Sequence, residues 1–145
     1  MRLPEINDDA SGASLRMTNF VFKTSSLYDP GAVPDPNEGY LNQGREFGER
    51  LAKQKRLALW LRDQLEAHGV STSNVAWDES GWGFSVNGKD GFVLVLLDSF
   101  GGGEAPFNLI VAEMSNAKSE YARTHTAFGA ILRDSPETEL IEIVD

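Results

Sequence analysis

The feature that most constrains this chain is an amphipathic helical pattern that begins near Arg45 and stops at His68-Gly69. It runs directly towards Trp77-Asp78-Glu79-Ser80-Gly81-Trp82-Gly83-Phe84. Phe47, Leu51, Gln54, Ala58, Leu61 and Leu65 recur at spacings of three and four, which gives one apolar stripe for a core. Leu57 widens that stripe. Leu59 and Trp60 fall off it, because each residue turns a helix by about 100°. Trp60 is therefore either covered by another part of the chain or presented to a partner. Gly69 supplies the stop.

Strand signals surround this helix. Asn19 to Lys23 is rich in β formers, and Asn74 to Trp77 reads as a short strand ending in the Asp78-Glu79-Ser80-Gly81 turn. Trp82, Phe84 and Val86 alternate with Gly83 and Ser85, so one face of that strand is apolar. Asn87-Gly88 opens a hairpin turn towards Phe92–Leu97, whose apolar residues on both faces predict a central strand covered at least in part on each side. Gly101-Gly102-Gly103-Glu104 is the next turn, and Phe107 to Met114 another strand. Ser119 to Leu132 reads as a second helix weakened by Thr124, Thr126 and Gly129. Beyond Pro136, Thr138 to Val144 reads as a closing edge strand.

These signals predict an α+β fold: a mostly antiparallel sheet of about four to six strands, with one long amphipathic helix packed on a face. Residues 1–16 read as a disordered leader and 17–145 as a single α+β domain, with Met17 a candidate alternative translation start. The segment from Ser25 to Asn42 carries Pro30, Pro34 and Pro36 and reads as a long loop. Tyr28, Tyr40 and Leu41 are its candidate anchors to the body.

The chain has no cysteine, which excludes disulfides, thiol catalysis and thiolate zinc sites. The start of the sequence has no apolar run like a signal peptide, and the longest apolar block is too short to span a bilayer. A cytoplasmic protein without membrane contact is the expectation. The formal charge of −9 argues against nucleic acid as a partner, since phosphate binding needs clustered Lys and Arg. Between Arg45 and Glu66, six basic residues face four acidic ones, so the remainder of the chain carries a net −11. An acidic body of that kind is suited either to solubility alone or to attracting a basic protein.

Catalytic and cofactor patterns are weak. The triple glycine lacks the downstream Gly-Lys-Ser/Thr of a phosphate loop, and Glu104 would repel phosphate. His68 and His125 lie on distant segments, so no histidine metal site is expected. No Gly-x-Ser-x-Gly elbow is present. Asp98 and Glu113, at the ends of adjacent apolar strands, are the carboxylates with most chance of burial. The expected complement is no cofactor, no metal and no catalytic residue.

The segments Phe47-Gly48-Glu49-Arg50-Leu51-Ala52 and Leu59-Trp60-Leu61-Arg62-Asp63-Gln64-Leu65, followed by Gly69 and the Asp78-Glu79-Ser80-Gly81-Trp82 turn, resemble small bacterial proteins. Some of those are toxin-immunity-like, and some are associated with phage and mobile elements. The resemblance covers roughly residues 17 to 115. The Lys53-Gln54-Lys55-Arg56 run departs from it by making the helix centre more basic. What the resemblance implies is a bacterial, non-enzymatic α+β protein.

The sequence thus points to a non-enzymatic acidic interaction protein, of the immunity or inhibitor kind, that binds a basic protein. Trp60, Leu59, Trp77, Asp78 and Glu79 are the candidate partner-binding residues. The alternatives are a homodimer joined through Trp60 and its helix flank, and a small sugar- or ligand-binding or hydrolase domain that uses Asp78 and Glu79.

Overall fold

The computed structural model describes residues 15–28, 31–34, 44–78, 81–98 and 106–145. The elements in chain order are β1 (Met17–Lys23), α1 (Arg45–Ala67), β2 (Ala76–Asp78), β3 (Gly81–Asn87), β4 (Phe92–Asp98), β5 (Phe107–Glu113), α2 (Lys118–Asp134) and β6 (Glu139–Val144). The fold is α+β, with a six-stranded sheet in the order β2-β3-β4-β5-β1-β6. Every neighbouring pair is antiparallel. Strands β2 to β5 form a meander, the topology that short connections between sequential strands favour. β1 closes it by slotting between β5 and β6.

Two helices lie on the sheet: the long one, and a second where Ser119 to Leu132 reads as a weakened helix. α2 forms although Thr124, Thr126 and Gly129 all have poor helix propensity. Its Tyr121, Phe128, Ile131 and Leu132 are buried, and burial at about 1.5–3 kcal/mol per large side chain outweighs propensities of under about 1 kcal/mol each. The Thr124 hydroxyl also has a partner of its own, donating to the carbonyl of Glu120 at 2.7 Å.

Both helices cover the same face. Phe20, Phe22, Trp82, Phe84, Val86, Val93, Val95, Leu97, Leu109 and Val111 point towards them and share one core cluster with Leu51, Leu57, Leu61 and Leu65 of α1 and Phe128 and Leu132 of α2. The predicted stripe of α1 is the buried one: Leu51, Gln54, Ala58, Leu61 and Leu65 are all buried, with Phe47 half-buried at its start. The helix ends in a Schellman turn. The Val70 amide donates to the Leu65 carbonyl and the Gly69 amide to the Glu66 carbonyl. Gly69 takes a φ of +85°, open to glycine without strain. Val70 is buried, which adds the apolar contact common to this motif.

The hairpin from β3 to β4 turns through residues 88–91, with the Gly88 amide donating to the Gly91 carbonyl at 2.8 Å. It packs on the chain entering α2. A Cβ on Gly91 would come within 2.6 Å of Ser115, so only glycine fits there. In the proline-rich segment, Leu27 is buried and the Tyr28 ring lies 6.1 Å from that of Phe107. Tyr40, Leu41, the triple glycine and the first fourteen residues lie outside the described residues.

Candidate interaction surface

Strand alternation sends every second side chain to the face away from the helices. On β4 these are Phe92, Leu94 and Leu96, and on β5 Ile110 and Ala112, with Met114 just beyond. On β1 they are Met17, Asn19 and Val21, and on β6 Glu142 and Val144. The registers set them in rows: Leu94 beside Ala112 beside Met17, and Leu96 beside Ile110 beside Asn19 beside Val144. None of them belongs to the core cluster under the helices. Met17 is 63% exposed, Val144 46%, Met114 42% and Phe92 38%.

An antiparallel sheet covered on one side normally turns polar residues to water on the other. Here the outward face carries an apolar stretch across β4, β5, β1 and β6, interrupted by Asn19, which donates to Asn108 at 3.0 Å, and by Asp98 and Glu142. An exposed contiguous apolar patch is the informative departure from the rule, and such patches mark sites of association. The expectation that β4 is covered at least in part on each side holds: on the face away from the helices Leu96 is 9% exposed and Leu94 half-buried. Strand β4 is apolar throughout because its outward residues belong to this patch.

A second feature is a polar clasp where β6 meets α2. The Thr18 hydroxyl is fully buried and donates to Asp145 Oδ1 at 2.5 Å, while the Tyr121 hydroxyl donates to Thr18. His125 Nε2 lies 3.1 Å from the same Asp145 oxygen, and its ring packs against Phe20 and Tyr121. The Thr18 bond, and after it the His125 bond, holds the Asp145 carboxyl below its usual range. Beside the clasp is an open depression of about 540 Å³, reached by Arg16 and Met17. Thr18 and His125 meet the aspartate oxygen but not each other. A hydroxyl nucleophile needs its base in direct contact, so the geometry is that of a clasp and not of a catalytic triad.

The two strand-end carboxylates do not share a cavity. Glu113 is 2% exposed and faces the helices, whereas Asp98 is half-buried on the opposite face. Glu113 pairs with Val93, five residues from Asp98 and so roughly 17 Å along the strand. Glu113 Oε2 instead accepts the amide of Ala117 at 3.1 Å, at the entrance to α2. That bond ties the end of β5 to the residue that opens α2. His68 likewise serves a helix end, with Nδ1 2.9 Å from the Gln64 carbonyl. Among the described residues no group of three or more His, Asp or Glu is close enough to hold a metal ion. Among the described residues no helix is long and apolar enough to cross a membrane.

The residues singled out from sequence fall in two places. Leu59 is 41% exposed on α1, and Trp60 is half-buried against the core. Trp77 pairs with Trp82 on β2, is half-buried, and also packs against the core. Asp78 ends β2 opposite Gly81, and Glu79 lies outside the described residues. The sequence marks this face without naming it as the contact surface. Apolar side chains on both faces of Phe92–Leu97, and Ile110, Ala112 and Met114 alternating with Leu109 and Val111, mark a strand pair with two apolar faces.

Comparison with protein-family models, with curated proteins and with solved structures finds no match for this chain.

Proposed function

We propose that this protein is a non-enzymatic, acidic interaction protein that docks a basic protein partner on its open sheet face, in the manner of an immunity or inhibitor protein. The observation that carries the reading is the row from half-buried Leu94 and Ala112 to exposed Met17, with exposed Phe92, Met114 and Val144 around it, on a chain of formal charge −9. The apolar centre supplies the surface whose burial stabilises a complex. The net charge draws an oppositely charged partner and speeds its encounter. The half-buried positions of Trp60 and Trp77 move the expected contact away from them and onto the sheet. The hydrolase alternative turns on the Asp78 side chain and Glu79, which lie outside the described residues.

Capture from the native host at low salt, with a tagged protein as bait and mass-spectrometric identification, tests this. One basic protein released by a high-salt wash is the expected result; a bait with nothing above background would overturn it. The apolar character of the same face favours a second reading, a homodimer joined sheet to sheet. A monomeric mass by sedimentation at high concentration would dispose of that one.

A further inference from the structure

We propose that the outer edge of β6 is a strand-addition site, at which an extended cationic segment of the partner pairs as a seventh strand. The inference rests on the reading of the protein as a binder of a basic partner, and it assigns the mode of contact. The sheet has two edges, and they are unequal. β2 is three residues long, while β6 is six, pairs only with β1 and leaves its other side without a strand among the described residues. A strand in that position presents a row of backbone donors and acceptors, the template that strand-adding peptides use. Ile141 and Val144 are each 46% exposed, so apolar side chains flank the vacant edge.

The charge pattern selects the occupant. From Asp134 to Asp145 the chain carries Asp134, Glu137, Glu139, Glu142 and Asp145 and no Lys or Arg. Such glutamates keep two copies from joining edge to edge, since like charges would stand across the new ladder. They favour a strand bearing Lys or Arg opposite Glu139 and Glu142. Leu140 and Ile143 turn to the helix side, where they pack against the core, so the added strand meets apolar side chains there. The register break between Val21 and Phe22 bulges β6 at Ile141, and the bulge limits the added ladder to its two flanks. Val144 and Glu142 also belong to the open face, so edge and face form one continuous surface.

A short synthetic peptide alternating lysine with valine or isoleucine, titrated into the isotopically labelled full chain, tests the inference. The expected result is perturbation and exchange protection of the backbone amides of residues 139–144, with affinity that falls as salt rises. Glu139→Lys with Glu142→Lys should weaken binding about tenfold or more, through two lost cross-strand ion pairs and the repulsion that replaces them. The same peptide methylated on alternate backbone nitrogens keeps its charge but cannot pair, and should not bind. Perturbation confined to β4 and β5, equal binding of the methylated peptide, or no binding at all would overturn the proposal. Should the captured partner bind the doubly substituted protein as tightly as the original, strand addition falls while the basic-partner reading stands.

Discussion

Trp82 on β3 donates its indole N–H to the main-chain carbonyl of Leu51 on α1, 2.6 Å away across the sheet–helix interface. Trp82 is 1% exposed, and the Lys55 ammonium lies 5.3 Å from its ring centre. One side chain thus fixes how the long helix sits on the meander, by apolar burial, by a directed hydrogen bond and by the aromatic face. Trp82→Phe keeps a ring in place but removes the donor and leaves a void. It is expected to lower unfolding stability by about 1–3 kcal/mol. Chemical denaturation should show a reduced midpoint at unchanged slope. An unaltered midpoint would mean that the bond contributes nothing.

Glu113 separates two effects usually confounded. Glu113→Ala deprives the Ala117 amide of its acceptor and empties a packed site, so a loss of about 1–3 kcal/mol is expected. Glu113→Gln retains an acceptor oxygen without a carboxylate in the core, and should match or exceed the parent in stability. Thermal unfolding of the two variants side by side gives the order. A glutamine variant as unstable as the alanine one would show that the carboxylate itself is required.

The Asp145 carboxyl is held below its ordinary value of 3.8 by Thr18 and then by His125. A carboxyl lowered in the folded state favours folding when ionised. That contribution is present above the unfolded value and is lost as pH falls through the folded one. The window is therefore below about pH 4, where the clasp between β6, β1 and α2 should loosen. Glu66, lowered by the hydroxyl and the amide of Thr72, acts in the same direction. In melting temperature against pH, Asp145→Asn should be less stable than the parent at neutral pH and should lose less on acidification. Parallel curves would contradict this.

Much of the architecture could be read from periodicity. The α1 stripe, its stop at Gly69, the meander and the closing strand at 138–144 all rest on local patterns that the fold keeps. What escaped were relations between distant segments. Helix α2 is legible at Ser119 to Leu132 but poor in propensity, and what its own residues do not show is that Phe128 and Leu132 find the sheet. The same-face placement of the two helices, which leaves Leu94 and Ile110 only half-buried, is a matter of topology that no local window contains. The clasp of Thr18 and Asp145 joins residues at opposite ends of the described chain. Trp60 and Trp77 drew notice as large aromatics, yet half-buried aromatics against a core are the common case. The open-face patch consists of ordinary apolar residues, distinguished only by where the sheet turns them.

Substitutions on that patch should divide folding from binding. Met17 and Phe92 are exposed, so Met17→Lys with Phe92→Lys should shift stability by no more than about 1 kcal/mol in total. Circular dichroism and denaturation would check that. A large loss of stability would mean that these side chains support the fold itself.

The measurement that bears most directly on the proposed function is the affinity of the captured partner for the parent and for this doubly substituted protein, by calorimetry at low and at high salt. The predicted result is tight, stoichiometric binding to the parent that weakens with salt, with a loss of about tenfold or more in the variant. Equal affinity for both proteins would remove the open sheet face from the interface, and indifference to salt would remove the acidic body from its role in selecting the partner.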